Sequence, residues 1–190
     1  MEYAYHLKLV EPGGSGFRDV TGLAQSVTWS GDARQIARTL SAGLAVPRDG
    51  SVEAPNLAEG VALILEQAGK VRFTGQLTQC STSSQTVVAD LSALDGGRFL
   101  AGNEGFYRFD NVTPEAAVAA MCRDFGILTG TLAPTGISVR RKFPGVALDK
   151  IVTTLYTLAG EQTGKRYLPR ITGDGRLEVV EKPGAASLEI

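Results

Sequence analysis

The sequence predicts an α+β protein in two parts: an N-terminal antiparallel β unit of six or seven strands, suited to a small barrel or sandwich, and a smaller α+β unit. Three observations carry this. Short runs of alternating apolar and polar residues, divided by glycine-containing turns, fill the chain up to about residue 93. Two helical stripes follow, Ala117 to Phe125 and Leu148 to Ala159. Then two strand-like runs flank Thr172-Gly173-Asp174-Gly175, a hairpin signal. The predicted boundaries are 1–94 for the β unit, 95–182 for the α+β unit and 183–190 for a linker to a further region.

The first strand is Tyr3 to Val10, where Tyr3, Tyr5, Leu7 and Leu9 alternate with Ala4, His6 and Lys8 before the turn Glu11-Pro12-Gly13-Gly14. Val20 to Trp29 and Gln35 to Val46 are the next strands, divided at Ser30-Gly31-Asp32, where glycine permits a turn or bulge. In the second of these, Ile36, Leu40, Ala42 and Leu44 share a face that also carries Arg38. A helix competes here, because Ala33, Ile36, Ala37 and Leu40 fit helical spacing; Thr39, Ser41 and Gly43 disfavour it. Val61 to Leu65 and Val71 to Leu77 form a hairpin across Gln67-Ala68-Gly69-Lys70, and Thr86 to Leu91 returns after a polar turn at Ser81 to Gln85.

Past Asp95-Gly96-Gly97 the pattern changes. Thr113-Pro114-Glu115 is an N-cap, a proline at the first helical position and an acid in the first turn. The helix it starts buries Ala117, Val118, Met121, Cys122 and Phe125 and stops at Gly126. A second helix, about Gly145 to Gly160, carries Leu148, Ile151, Val152, Leu155, Tyr156 and Ala159 on one stripe. Tyr167 to Ile171 and Arg176 to Glu181 complete the hairpin, and Pro183 to Ser187 reads as a linker.

Composition narrows the function. The chain has 190 residues, 43% apolar and 21% charged, with 19 Lys and Arg against 20 Asp and Glu. That near balance, without a long basic run, leaves no general footprint for nucleic acid. No apolar run approaches the roughly 20 residues of a membrane-spanning helix, and the N-terminus lacks a signal-peptide pattern, so a cytoplasmic site of synthesis is expected. Cys80 and Cys122, without CxxC spacing, read as reduced thiols.

No residue pattern points to a catalytic, cofactor or metal site. His6 is the only histidine, lies on the polar side of its strand and has no acid at ligand spacing. Gly13-Gly14-Ser15-Gly16 lacks the lysine and the helix of a phosphate loop. Asp90, Asp95, Glu104 and Asp110 do not define a carboxylate pair. Trp29 reads equally as an interface anchor or as core beside the Ser30-Gly31-Asp32 bend. Arg140-Arg141-Lys142 and Gly164-Lys165-Arg166 place cations near Phe143 and Tyr167, so Arg141 and Lys165 are expected at an inter-subunit or partner surface, although such clusters are usually solvated faces.

The order VTWSGDARQIARTLSAGL, FTGQL, the TPEAAVAAMCRDFGI helix and TGKRY resembles the baseplate hub proteins of contractile phage tails and defective-prophage particles, over about residues 3 to 182. The resemblance implies that the first unit is a barrel akin to the tail-tube subunit. It further implies a homotrimer that adapts a hexameric tail tube to a trimeric spike, with the tube subunit and the spike protein as partners and the particle baseplate as location. In that family a second barrel follows the α+β unit, and this sequence ends before one is completed. The resemblance thus implies a structural protein rather than an enzyme. The competing readings are a cell-wall-degrading tail enzyme and a monomeric protein-binding module.

Overall fold

The computed structural model describes residues 4–10, 16–32, 35–46, 53–82 and 87–182. Strands predominate, and the chain divides into two compact units. The first comprises the described residues of Met1–Asp32, Ala37–Gly96 and Thr172–Gly175; the second those of Ala33–Ile36, Gly97–Ile171 and Arg176–Ile190. Residues 1–3, with Tyr3 of the expected first strand, 11–15, 33–34, with Ala33 of the competing helix reading, 47–52, 83–86 and 183–190 lie outside the described set. With them go most of the Gly13–Gly16 loop, much of the Ser81–Gln85 turn and the expected linker.

The first unit is one antiparallel sheet of seven strands: β1 (Tyr5–Val10), β2 (Phe17–Asp19), β3 (Ala24–Gly31), β4 (Arg38–Ala45), β5 (Ala62–Gln67), β6 (Lys70–Thr82) and β7 (Val88–Asp95). Their order is β2-β1-β5-β6-β7-β4-β3. No ladder joins β2 to β3 among the described residues, so hydrogen bonding leaves the sheet with two ends rather than a closed barrel. Alternation decides its covered face: Leu7 and Leu9, Leu40 with Ala42 and Leu44, Leu63 and Leu65, Phe73 and Leu77, and Leu91 with Ala93 form one buried cluster. Ile36 departs from the sequence reading. It precedes β4 and is buried in the core of the second unit, because the strand begins only at Arg38.

The β5–β6 hairpin turns on two residues, with Gln67 opposite Lys70. Ala68 at φ 50° and Gly69 at φ 70° give both central positions positive φ, the mirror-image turn that matches strand twist. The β6 strand runs to Thr82, well beyond the expected Leu77, with a register shift between Leu77 and Gln79.

The second unit contains α1 (Gly97–Gly102), β8 (Glu104–Val112), α2 (Pro114–Asp124), β9 (Thr129–Leu132), β10 (Val139–Ala147), α3 (Leu148–Thr163), β11 (Arg166–Ile171) and β12 (Leu177–Lys182). The Thr113 hydroxyl accepts from the Ala116 N–H, capping α2 as the sequence requires. Helix α3 starts three residues later than expected and ends at Gly164, which takes φ 71°. Its stripe of Leu148, Ile151, Val152, Leu155, Tyr156 and Ala159 is buried throughout and shares a core with Met121, Cys122, Phe109 and Phe143. Strands β11 and β12 pair antiparallel, and β9 joins β12 in parallel. Strands β8 and β10 form a separate two-stranded ribbon.

Candidate interaction surfaces

The ribbon is built by alternation on both strands. On β8, Gly105 and Phe109 are buried while Glu104, Phe106, Arg108 and Asp110 are exposed. On β10, Phe143 is buried and Arg140, Lys142 and Pro144 are exposed. Phe109 meets Phe143 edge to face at 6.1 Å and stacks on Tyr107 at 5.3 Å, which anchors the covered face.

Register sets the outer face. Phe106 stands opposite Pro144, Arg108 opposite Lys142, and Asp110 opposite Arg140. Arg140 Nε donates to Asp110 Oδ1 at 2.6 Å. Arg108 and Lys142 make no hydrogen bond or ion pair with any described residue, so two like charges face each other across the ladder. Phe106 is 80% exposed, the largest exposure of any described large apolar side chain, and its ring lies over Gly145, which needs φ 70° at the bulge. Arg141 is exposed but stands opposite buried Phe109, so it belongs to the rim of the covered face.

Lys165 Nζ donates to Glu181 Oε2 at 2.9 Å, and this hydrogen bond raises its pKa. It also lines a groove of about 450 Å³ together with Thr157, Glu161, Arg166, Tyr167 and Lys182. Structure therefore places Arg141 and Lys165 on different features of the second unit.

Trp29 sits on β3, which pairs with β4 alone. It stands opposite fully buried Leu40 yet is 41% exposed, with the Arg38 guanidinium 5.3 Å from its ring centre. Core burial of Trp29 is thereby replaced by a position at the rim of the sheet, under a cation. The free side of β3 bears no charged residue and no proline.

His6 does have an acid beside it, contrary to its sequence surroundings, because β1–β2 pairing brings Asp19 Oδ2 to 3.0 Å from its Nδ1. Asp19 Oδ1 accepts from the Thr21 N–H at 2.9 Å and from the Thr21 hydroxyl, which itself accepts from the Leu7 N–H at 2.8 Å. The carboxylate thus lies between hydroxyl and imidazole, so His6 does not reach the Thr21 proton, and Thr21 is 3% exposed. This is a structural relay that ties β1 to β2.

The acids that share a strand remain apart. Asp90 is exposed and Asp95 buried on β7, and six residues of extended strand separate Glu104 from Asp110 by roughly 20 Å. That exceeds the spacing of a glycosidase pair. Among the described residues no three metal-ligating side chains gather. Cys122 is buried, and burial pushes its thiol up to about 11. No described helix is long and apolar enough to cross a membrane.

A model of one protein family matches residues 27–184, from the uncharged edge strand through the ribbon to the last hairpin. The chain belongs to the YQBQ-like family. Its similar proteins include the phage-like element PBSX protein XkdQ of Bacillus subtilis (strain 168), 26% identical over an alignment of 152 residues that covers 76% of this chain and 44% of XkdQ. The uncharacterized protein YqbQ of the same organism is 24% identical over the same shares. Among solved structures, a tail protein from Neisseria meningitidis MC58 superposes with TM-score 0.71 at 16% identity, covering 97% of this chain and 52% of the other. The 43 kDa tail protein of prophage MuSo2 from Shewanella oneidensis gives 0.67 at 16% identity, over 93% and 54%. The YQBQ-like chain therefore has the fold of prophage tail proteins, and it spans about half the length of the relatives it matches.

Proposed function

We propose that this chain is a structural part of a phage-derived tail, located at the baseplate hub, where it forms a trimer between the tail tube and the spike. The observation that carries the proposal is the fold itself, shared with a tail protein over 97% of the chain and with a prophage tail protein over 93%. Chemistry agrees, since the surfaces of both units offer edges, cations and aromatics rather than an activated nucleophile or a paired acid. Among the described residues the first sheet ends in two unpaired edges, each with free backbone N–H and C=O groups, and cyclic assembly is the usual way to satisfy such ends. On this reading the sheets of neighbouring copies together make the tube-like barrel that the sequence leads one to expect of a single copy.

The test is the absolute mass of the purified chain by light scattering across a concentration series, followed by mixing with the tube and spike proteins of the same particle. Trimer mass, or capture into a trimer by either protein, supports the hub. Hydrolysis of purified cell walls by the chain alone would overturn it in favour of a tail enzyme. A monomer that binds a single protein partner without forming a ring would favour a binding module.

A further inference from the structure

The net charge of −1 conceals two opposite surfaces. Counted over the whole sequence, the first unit holds 6 Lys and Arg against 11 Asp and Glu, a net of −5. The second holds 13 against 9, a net of +4. On the outer face of the β8–β10 ribbon, which also carries Glu104 and the Arg140–Asp110 ion pair, Arg108 and Lys142 face each other without a counter-ion. Cross-strand like charges destabilise a ribbon by themselves, and an incoming carboxylate between them would convert repulsion into two charge-assisted hydrogen bonds. Phe106 and Pro144, two residues along the ladder and next on the same face, add an apolar contact to it. An exposed aromatic beside an exposed arginine is a combination that interfaces favour, with Lys142 suited to their rim.

We infer that the outer face of this ribbon, Phe106, Arg108, Lys142 and Pro144, docks onto the acidic first unit of a second copy of the chain. The complementary net charges of the two units select that occupant, and a heterologous contact of this kind, second unit to first unit, makes a ring when the rotation it sets closes and a filament when it does not. Glu59 and Asp90 are exposed on the first unit and make no ion pair with any described residue, so they are available to it. The inference rests on the self-assembly part of the hub reading and names the surfaces that accomplish it.

The experiment is light scattering of the full chain at 50 and 500 mM NaCl, with R108E/K142E, F106S and E59K/D90K beside the wild type. Circular dichroism checks that each variant is folded. At low salt the wild type is expected to associate and to weaken at least tenfold on raising the salt. R108E/K142E should associate at least tenfold more weakly than the wild type at low salt, and the combined variant R108E/K142E/E59K/D90K, with both faces reversed, should restore assembly. F106S should weaken association while leaving its salt dependence unchanged. If R108E/K142E assembled like the wild type, the ribbon would be excluded while a ring through other surfaces stood. A wild type monomeric at every concentration and salt would overturn both the ribbon contact and autonomous self-assembly. Binding of a fluorescein-labelled 20-base-pair duplex DNA, lost in R108E/K142E, would reassign the face to nucleic acid.

Discussion

Gly160→Ala sets helix propensity against packing, and the structure decides which wins. Gly160 lies in the last turn but one of α3, where alanine is favoured over glycine by about 1 kcal/mol. A Cβ built there falls 2.7 Å from the Lys165 carbonyl oxygen, at least 0.7 Å inside ordinary contact, which begins at 3.4 Å. Lys165 cannot retreat cheaply, because the Gly164 N–H donates to the Gly160 carbonyl at 2.8 Å and Gly164 is committed to φ 71°. Overpacking of this kind costs about 1–3 kcal/mol, so the net expectation is a loss of about 1 kcal/mol. Gly102→Ala, near the end of α1 with nothing within 4 Å of its Cβ, is the control and should lie within about 0.5 kcal/mol of wild type. The assay is urea unfolding followed by far-ultraviolet circular dichroism, fitted with separate transitions for the two units. A gain of about 1 kcal/mol in Gly160→Ala, the full propensity difference, would refute the close approach of chain and helix.

Other outcomes follow from single residues. Ala68→Asn should stabilise the first unit by about 0.5–1 kcal/mol, because asparagine tolerates the positive φ that Ala68 holds in the β5–β6 turn; thermal unfolding reads it. At pH 8 the buried Cys122 should resist a maleimide until the second unit unfolds, while half-buried Cys80, also raised by burial, reacts slowly in the native state; mass spectrometry counts the adducts. Burial of Asp19 acts to raise its pKa, but hydrogen bonds from Thr21 and His6 outweigh it and hold the group below its ordinary value. Its contribution is therefore present above the unfolded pKa of about 4 and lost as pH falls through the folded value. Asp19→Asn should flatten that part of the acid-unfolding curve, and an unchanged slope between pH 4 and 2 would show that the relay carries no charge.

Helix α2 was legible from two agreeing signals, a cap and a stripe, and α3 from its stripe alone, which left both its ends misplaced by about three residues. For α2 these were Thr113-Pro114-Glu115 and the Ala117–Phe125 stripe; for α3 the stripe was Leu148–Ala159. Strand β4 was legible from its alternation but not in its start: Ile36 fits the same parity as Leu40, and only the fold shows that it serves another core. Helix α1 was missed since Gly97, Phe99 and Gly102 give poor propensity, and its single buried leucine, Leu100, leaves no stripe to read. The His6–Asp19 contact joins residues 13 apart through strand pairing, and no local spacing announces it. A signal for the ribbon face did exist. The run Glu104-Gly105-Phe106-Tyr107-Arg108-Phe109-Asp110 has near-perfect period two, which places Phe106 and Arg108 on the side opposite Phe109.

Arg141 illustrates why a charged run alone misleads about surfaces. Three consecutive cations look equivalent in sequence, yet strand geometry sends Arg140 and Lys142 to the outer face and Arg141 to the rim of the core face. Of the outer two, Arg140 is neutralised by Asp110 at 2.6 Å, which leaves Lys142 with Arg108 as the uncompensated pair. The strongest local field on the ribbon therefore comes from two residues 34 positions apart, only one of which belongs to the basic run. Total charge hides it for the same reason at a larger scale, since the acidic first unit cancels the basic second. Net charge constrains how a whole chain behaves in bulk solution, whereas docking responds to the potential within about a Debye length of a patch, roughly 8 Å in physiological salt. At that range a chain of net −1 presents a cationic face to whatever approaches the ribbon.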